Sequence, residues 1–168
     1  MIFKRRAAAP EASPQAPIAG SLPQQAVLCD DLGLYQRWYV QLRMREELAR
    51  GARIGTFFSI ACWRLRVLPG EEVSTELAGR AAEIITRGLR TYDLPARVEA
   101  DLFGAILFDA DYQSAATVAY RIKGDLQARA AAASRWQAGI ATFPKDGVDA
   151  DGLIGTAMRR LAKDALAA

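Results

Sequence analysis

The stretch Asp93–Phe108, DLPARVEADLFGAILF, decides the fold. Its apolar runs Ala96–Val98 and Phe103–Phe108 stand close enough to pair as a hairpin. Between them lie Glu99, Ala100, Asp101 and Leu102, two acids, an alanine and a leucine where a tight turn favours glycine. Within this stretch no glycine occurs before Gly104.

Working outward, a helix ending near Leu89 precedes the hairpin, with Leu77, Ala81, Ile84 and Ile85 on one face and the Pro69-Gly70 break before it. Phe57–Leu65 is apolar on both faces, as expected for a central strand covered on both sides. Further upstream, Leu34, Trp38 and Leu42 fall at four-residue steps, which predicts a helix from Leu34 with Arg37, Arg43 and Arg45 facing water. Downstream, Ala115, Val118, Ala119, Ile122 and Leu126 make the clearest helical stripe in the chain. That helix dissolves into the alanine-rich ARAAAASR, and a strand over Arg135–Phe143 and a turn at Pro144-Lys145-Asp146-Gly147 follow. A last helix carries Leu153, Ile154, Ala157, Met158, Leu161 and Ala165. The order α-β-α-β-β-α-β-α predicts an α+β fold, a ferredoxin-like palm with helices flanking a mostly antiparallel sheet.

Composition bounds the chemistry. The chain has 168 residues, a formal charge of +3 and no histidine, which excludes a Ser-His-Asp triad, an imidazole base and a His-ligated zinc. Its two cysteines, Cys29 and Cys62, are too few for a thiolate metal centre, and Cys62 sits in an apolar strand as a core residue. The small, scattered basic excess does not indicate a nucleic-acid partner. The longest apolar run, Ile54–Trp63, is too short to cross a bilayer, and cysteine usage fits a reducing cytoplasm. Residues 1–26, rich in Ala, Pro, Ser and Gln, predict a disordered tail or linker, leaving 27–168 as one domain.

Four pieces in order resemble the GGDEF domain of diguanylate cyclases, enzymes that join two GTP molecules into cyclic di-GMP. GLYQRWYV (Gly33–Val40) is similar to the family's opening GLYNRRYF. RTYDLPARVEADLFGAIL is similar to its R-x-x-D, five residues and the signature hairpin. ATVAYRIKGDL and QAGIATFPKDG resemble the helix, strand and turn that follow.

The departures fall on the chemistry that the resemblance implies. Glu99 and Ala100 replace glycines that let the backbone approach the nucleotide. Asp101 keeps a carboxylate, but Leu102 replaces the signature glutamate. Arg64 stands where the family's first strand carries a magnesium-binding aspartate, and a fixed cation there repels the ion. The family's guanine-reading residues have no counterpart in Arg66–Thr75, which is also shorter. The expectation is a domain without cyclase activity, metal or cofactor, in which Arg64 and Asp101 form a salt bridge in place of the ion.

A second family motif keeps its spacing. Arg90-Thr91-Tyr92-Asp93 matches the R-x-x-D inhibitory site where cyclic di-GMP binds, and Arg121 matches its helper arginine. Guanidinium groups suit phosphates and guanine edges, and a carboxylate can accept from guanine N–H groups. Each residue also has an ordinary role open to it: Asp93 in a turn, Arg90 at a helix C-terminus, Arg121 on a solvated face. Trp38, Trp63 and Trp136 are expected in the core or lining a groove, and Asp109 and Asp111 as caps of the next helix. Two functions follow: a cyclic di-GMP receptor, or an interaction module that meets a protein partner through an exposed helix or the altered pocket.

Overall fold

The structure is a computed structural model that describes residues 28–66, 72–129 and 135–164. The expected tail, the Pro69-Gly70 break, most of the alanine-rich stretch and Ala165 lie outside the described residues. The elements are β1 (Tyr35–Gln36), α1 (Arg37–Ile54), β2 (Phe58–Arg66), α2 (Thr75–Gly88), β3 (Leu94–Arg97), β4 (Leu102–Phe108), α3 (Tyr112–Arg129), β5 (Arg135–Phe143) and α4 (Ala150–Asp164).

The sheet order is β1-β3-β4-β2-β5. All pairs are antiparallel except β1 with β3. Without β1 this is the ferredoxin-like order, with α2 and α3 as the two crossovers. Residues on β2 alternate between the faces. Ala61, Trp63 and Leu65 join Ile85 of α2 and Ile122 and Leu126 of α3 in one core, while Phe58 and Ile60 join Met44 of α1 and Leu153 and Ala157 of α4 in the other. The strand is covered on both sides, as its apolar composition required. The α3 stripe packs as its spacing predicts, with Ala115, Ala119, Ile122 and Leu126 buried. The buried Trp63 donates its indole N–H to Ala119 O at 2.9 Å, which satisfies its one polar atom. Trp136 is likewise buried. At Gly139 a Cβ would run into Ala157 O, so glycine lets α4 lie directly on β5.

The first helix corrects the expectation. It begins at Arg37, after a two-residue strand too short to leave a periodic signal, and Leu34 is buried ahead of it. Trp38 and Leu42 point outward, 46% and 44% exposed. The inward side instead presents Met44, Glu47 and Gly51. Glu47 can be buried because Arg50 and Arg43 reach it at 3.3 and 3.7 Å. A buried acid paired from its own helix defeats a search for apolar spacing.

Candidate functional site

The hairpin turns without glycine. Leu102 N–H donates to Glu99 O at 3.4 Å, and Val98 and Glu99 donate to Leu102 O at 2.9 and 3.1 Å. None of these residues has positive φ, so Glu99 and Ala100 fit without strain. Leu65 N–H binds Asp101 O at 2.9 Å, which ties the tip to the end of β2.

Register places Arg64 opposite Leu102 and turns its guanidinium toward both acids. Arg64 Nη2 donates to Glu99 Oε2 at 2.8 Å, while Nε lies 3.5 Å from Asp101 Oδ2. Arg64 and Asp101 therefore converge as expected, but the hydrogen bond goes to Glu99, and the Nε atom has no hydrogen-bond acceptor among the described residues. This donor set does not suit a divalent cation, because a guanidinium already stands between the carboxylates. Ala100 is exposed at the tip. Leu102 is 3% exposed and turns into an apolar groove with Val40, Met44, Ile60 and Ile154. Cys62 lines the same groove, its thiol pushed up to about 12 by burial despite the opposing pull of Arg64. That thiol stays protonated at neutral pH and is a poor nucleophile.

At the other end of β3 a turn holds Arg90 and Asp93. Asp93 N–H donates to Arg90 O at 3.0 Å, and Arg90 N–H donates back to Asp93 Oδ2 at 2.9 Å. Phe108 N–H reaches Asp93 Oδ1 at 3.3 Å. Asp93 is 8% exposed, and among the described residues it has no ion pair. Burial raises its pKa above the usual carboxylate value, against the N–H donors of Arg90 and Phe108 and the charge of Arg90. Asp93 thus has the turn role open to it in the sequence, and it is not on an exposed surface.

Arg90 is exposed, with Nη1 2.9 Å from Tyr92 Oη. Arg87, Arg90, Thr91 and Asp93 line an open cleft of about 1130 Å³ together with Asp30 and Asp31. Arg121 does not line it. Its Nη2 donates to Gly88 O at 2.7 Å and satisfies a terminal carbonyl of α2. Arg90 and Asp93 come together in one cleft; Arg121 would have to release Gly88 to join them.

Sequence reasoning missed Asp30 and Asp31 as lining residues of this cleft. The Asp30-Asp31-Leu32-Gly33 composition is a turn signal, and Asp30 Oδ1 accepts from Leu32 and Leu34 N–H at 3.0 and 2.9 Å. Asp111 caps α3 by accepting from Ser114 N–H at 2.8 Å, whereas Asp109 takes a positive φ of 49° and lies 3.7 Å from Arg50. Among the described residues no helix is long and apolar enough to cross a membrane.

No protein-family model and no curated protein matches the sequence. Solved structures do. A sensory box/GGDEF family protein from Caulobacter crescentus CB15 is 21% identical, over 84% of this chain and 99% of that one, with a TM-score of 0.71. The GGDEF domain of DgcB from Caulobacter crescentus, solved in complex with c-di-GMP, is 16% identical over 90% and 94%, with a TM-score of 0.73. The diguanylate cyclase SiaD from Pseudomonas aeruginosa, solved with its activator SiaC, is 21% identical over 86% of this chain and 60% of that one, with a TM-score of 0.73. The chain has the fold of a GGDEF domain, as its four motifs implied.

Proposed function

We propose that this domain is a receptor for cyclic di-GMP without cyclase activity, binding in the cleft of Arg90 and Asp93. One observation carries the proposal: a buried carboxylate with no ion-pair partner among the described residues and an exposed guanidinium face the same cleft, three residues apart. Contrast Asp146, whose charge is answered by Arg160 through two bonds of 2.7 and 2.8 Å. Asp93 accepts from backbone N–H groups only, and each carboxylate oxygen can take a further donor. Guanine N–H groups are such donors, and Arg90 is placed for phosphate or a guanine edge. The similar DgcB domain was solved with c-di-GMP. Loss of cyclase chemistry is supported by the Arg64 guanidinium between Glu99 and Asp101 and by Leu102 in place of an acid.

Calorimetry with cyclic di-GMP tests the receptor role. A charge-assisted contact is worth roughly 1.5–3 kcal/mol, so Arg90→Ala should weaken binding by about tenfold or more, and Arg64→Ala should leave it unchanged. No heat with the wild type, or equal affinity in Arg90→Ala, contradicts the proposal. Incubation with GTP and Mg²⁺ or Mn²⁺ should give no product above a protein-free control; product that disappears in Asp101→Ala would overturn the loss of activity.

The alternative is a nucleotide-independent interaction module. The outward Trp38 and Leu42 on α1 favour it, and SiaD was solved with a protein activator.

A further inference from the structure

One edge of the sheet is closed by side chains. β5 is an outermost strand, paired only with β2 among the described residues, and its nine residues contain no proline. An open edge of this length is a template for another strand. Alternate residues of an edge strand turn their N–H and C=O groups away from the neighbouring strand. On β5 these are Trp136, Ala138, Ile140 and Thr142, and a side chain meets each of them. Trp136 N–H donates to Gln127 Oε1 at 3.0 Å, Ala138 N–H to Asp164 Oδ2 at 2.9 Å and Thr142 N–H to Asp146 Oδ2 at 2.9 Å. Ile140 O accepts from Arg160 Nη1 at 2.8 Å.

These side chains are themselves fixed. Lys123 Nζ lies 2.6 Å from Asp164 Oδ2, so an ion pair links α3 to α4 across the edge at Ala138. Arg160 holds Asp146 through bonds of 2.7 and 2.8 Å, and its guanidinium lies over the Tyr112 ring, 5.1 Å from the centroid. Water alone could satisfy backbone groups at a solvent-facing edge. Linked ion pairs do more, because they occupy the line along which a further strand would add. The two ends of β5 also differ in charge. Arg135 at its start is exposed and has no ion pair among the described residues, whereas Asp146 follows its end. An antiparallel pair of β5 strands sets the Arg135 end of one copy beside the Asp146 turn of the other, so the charges match.

We infer that Lys123, Asp146, Arg160 and Asp164 guard the edge of β5, and that releasing them lets β5 pair antiparallel with β5 of a second copy. While the guard is closed, the chain does not self-associate through this strand. Cyclic di-GMP plays no part in this, since its proposed cleft lies against β1 and β3, toward the opposite edge of the sheet.

Sedimentation velocity over a concentration series tests it, with circular dichroism to check that each variant is folded. Asp164→Ala removes the acceptor of Ala138 N–H and the link to Lys123, and Arg160→Met removes the donor to Ile140 O and frees Asp146. Together they should lower the concentration at which the full chain self-associates by about tenfold or more relative to the wild type. Should either substitution unfold the chain, Lys123→Met, which breaks the link and no backbone bond, should shift self-association in the same direction. Adding Arg135→Glu to a self-associating variant should reverse most of the gain, because the strand ends then repel. Folded variants that self-associate no more than the wild type overturn the inference. Self-association that Arg135→Glu leaves unchanged also overturns it, because the contact then lies elsewhere.

Discussion

At the C-terminal end of β3, Arg64 closes on Glu99 at 2.8 Å and lies 3.5 Å from Asp101, so the charges answer one another. At the N-terminal end, four residues away along the strand, Asp93 is buried among backbone donors while Arg90 leans on Tyr92 in the open cleft. In the first cluster each charged group has an opposite charge within 3.5 Å, which gives it little reason to recruit a ligand. Among the described residues the second leaves Asp93 and Arg90 without a salt bridge, although the Arg90 charge is felt at Asp93. Both ends set an arginine beside acids; under the proposed function, pairing is what separates a structural lock from a binding site.

The largest expected effect comes from breaking the second end. Asp93→Ala removes the acceptor of two N–H groups, one on β4 at Phe108, and should cost about 1–3 kcal/mol of stability together with measurable cyclic di-GMP binding. Urea unfolding beside calorimetry checks both. Unchanged stability would mean that Asp93 does not hold the turn to the sheet.

Breaking the first end should do less. Arg64→Ala removes a partly exposed pair and should cost no more than about 1 kcal/mol, with cyclic di-GMP affinity unaltered. A large loss of binding would show that the two ends act as one site.

How far the sequence carried this comparison differs between its parts. The spacing of Ala115, Ala119, Ile122 and Leu126 gave α3 directly, because a half-buried helix must repeat its apolar face. The inward face of α1 was hidden by the paired, buried Glu47, and β1 by its length of two residues. Alignment of the hairpin brought Arg64 to the acids but not the preference for Glu99, which depends on how a long side chain crosses from β2 to the tip. Arg90 and Asp93 were legible as a pair, yet only the fold shows Asp93 bonded to Phe108 and Arg121 turned onto Gly88.

A smaller effect separates two aspartates by sign. The folded-state pKa of Asp146 is lowered, first by the Arg160 hydrogen bonds, so its contribution to stability is present above the unfolded value and is lost as pH falls through the folded one. The folded-state pKa of Asp93 is raised, first by burial, so its contribution runs the other way and favours folding as pH falls through the raised value. Relative to Asp146→Asn, the wild type should lose its advantage on acidification; relative to Asp93→Asn, it should gain. Urea titrations at several pH values check this, and parallel pH curves for the two variants would contradict the assignment of charge states.

The most direct test is to see which end of β3 meets the nucleotide. In amide NMR spectra of the labelled chain, adding cyclic di-GMP should shift Thr86 to Asp93 and Asp30 to Gly33, around the cleft, and leave Val98 to Leu102 at the hairpin in place. Shifts concentrated at the hairpin, or none anywhere at saturating nucleotide, would contradict the account.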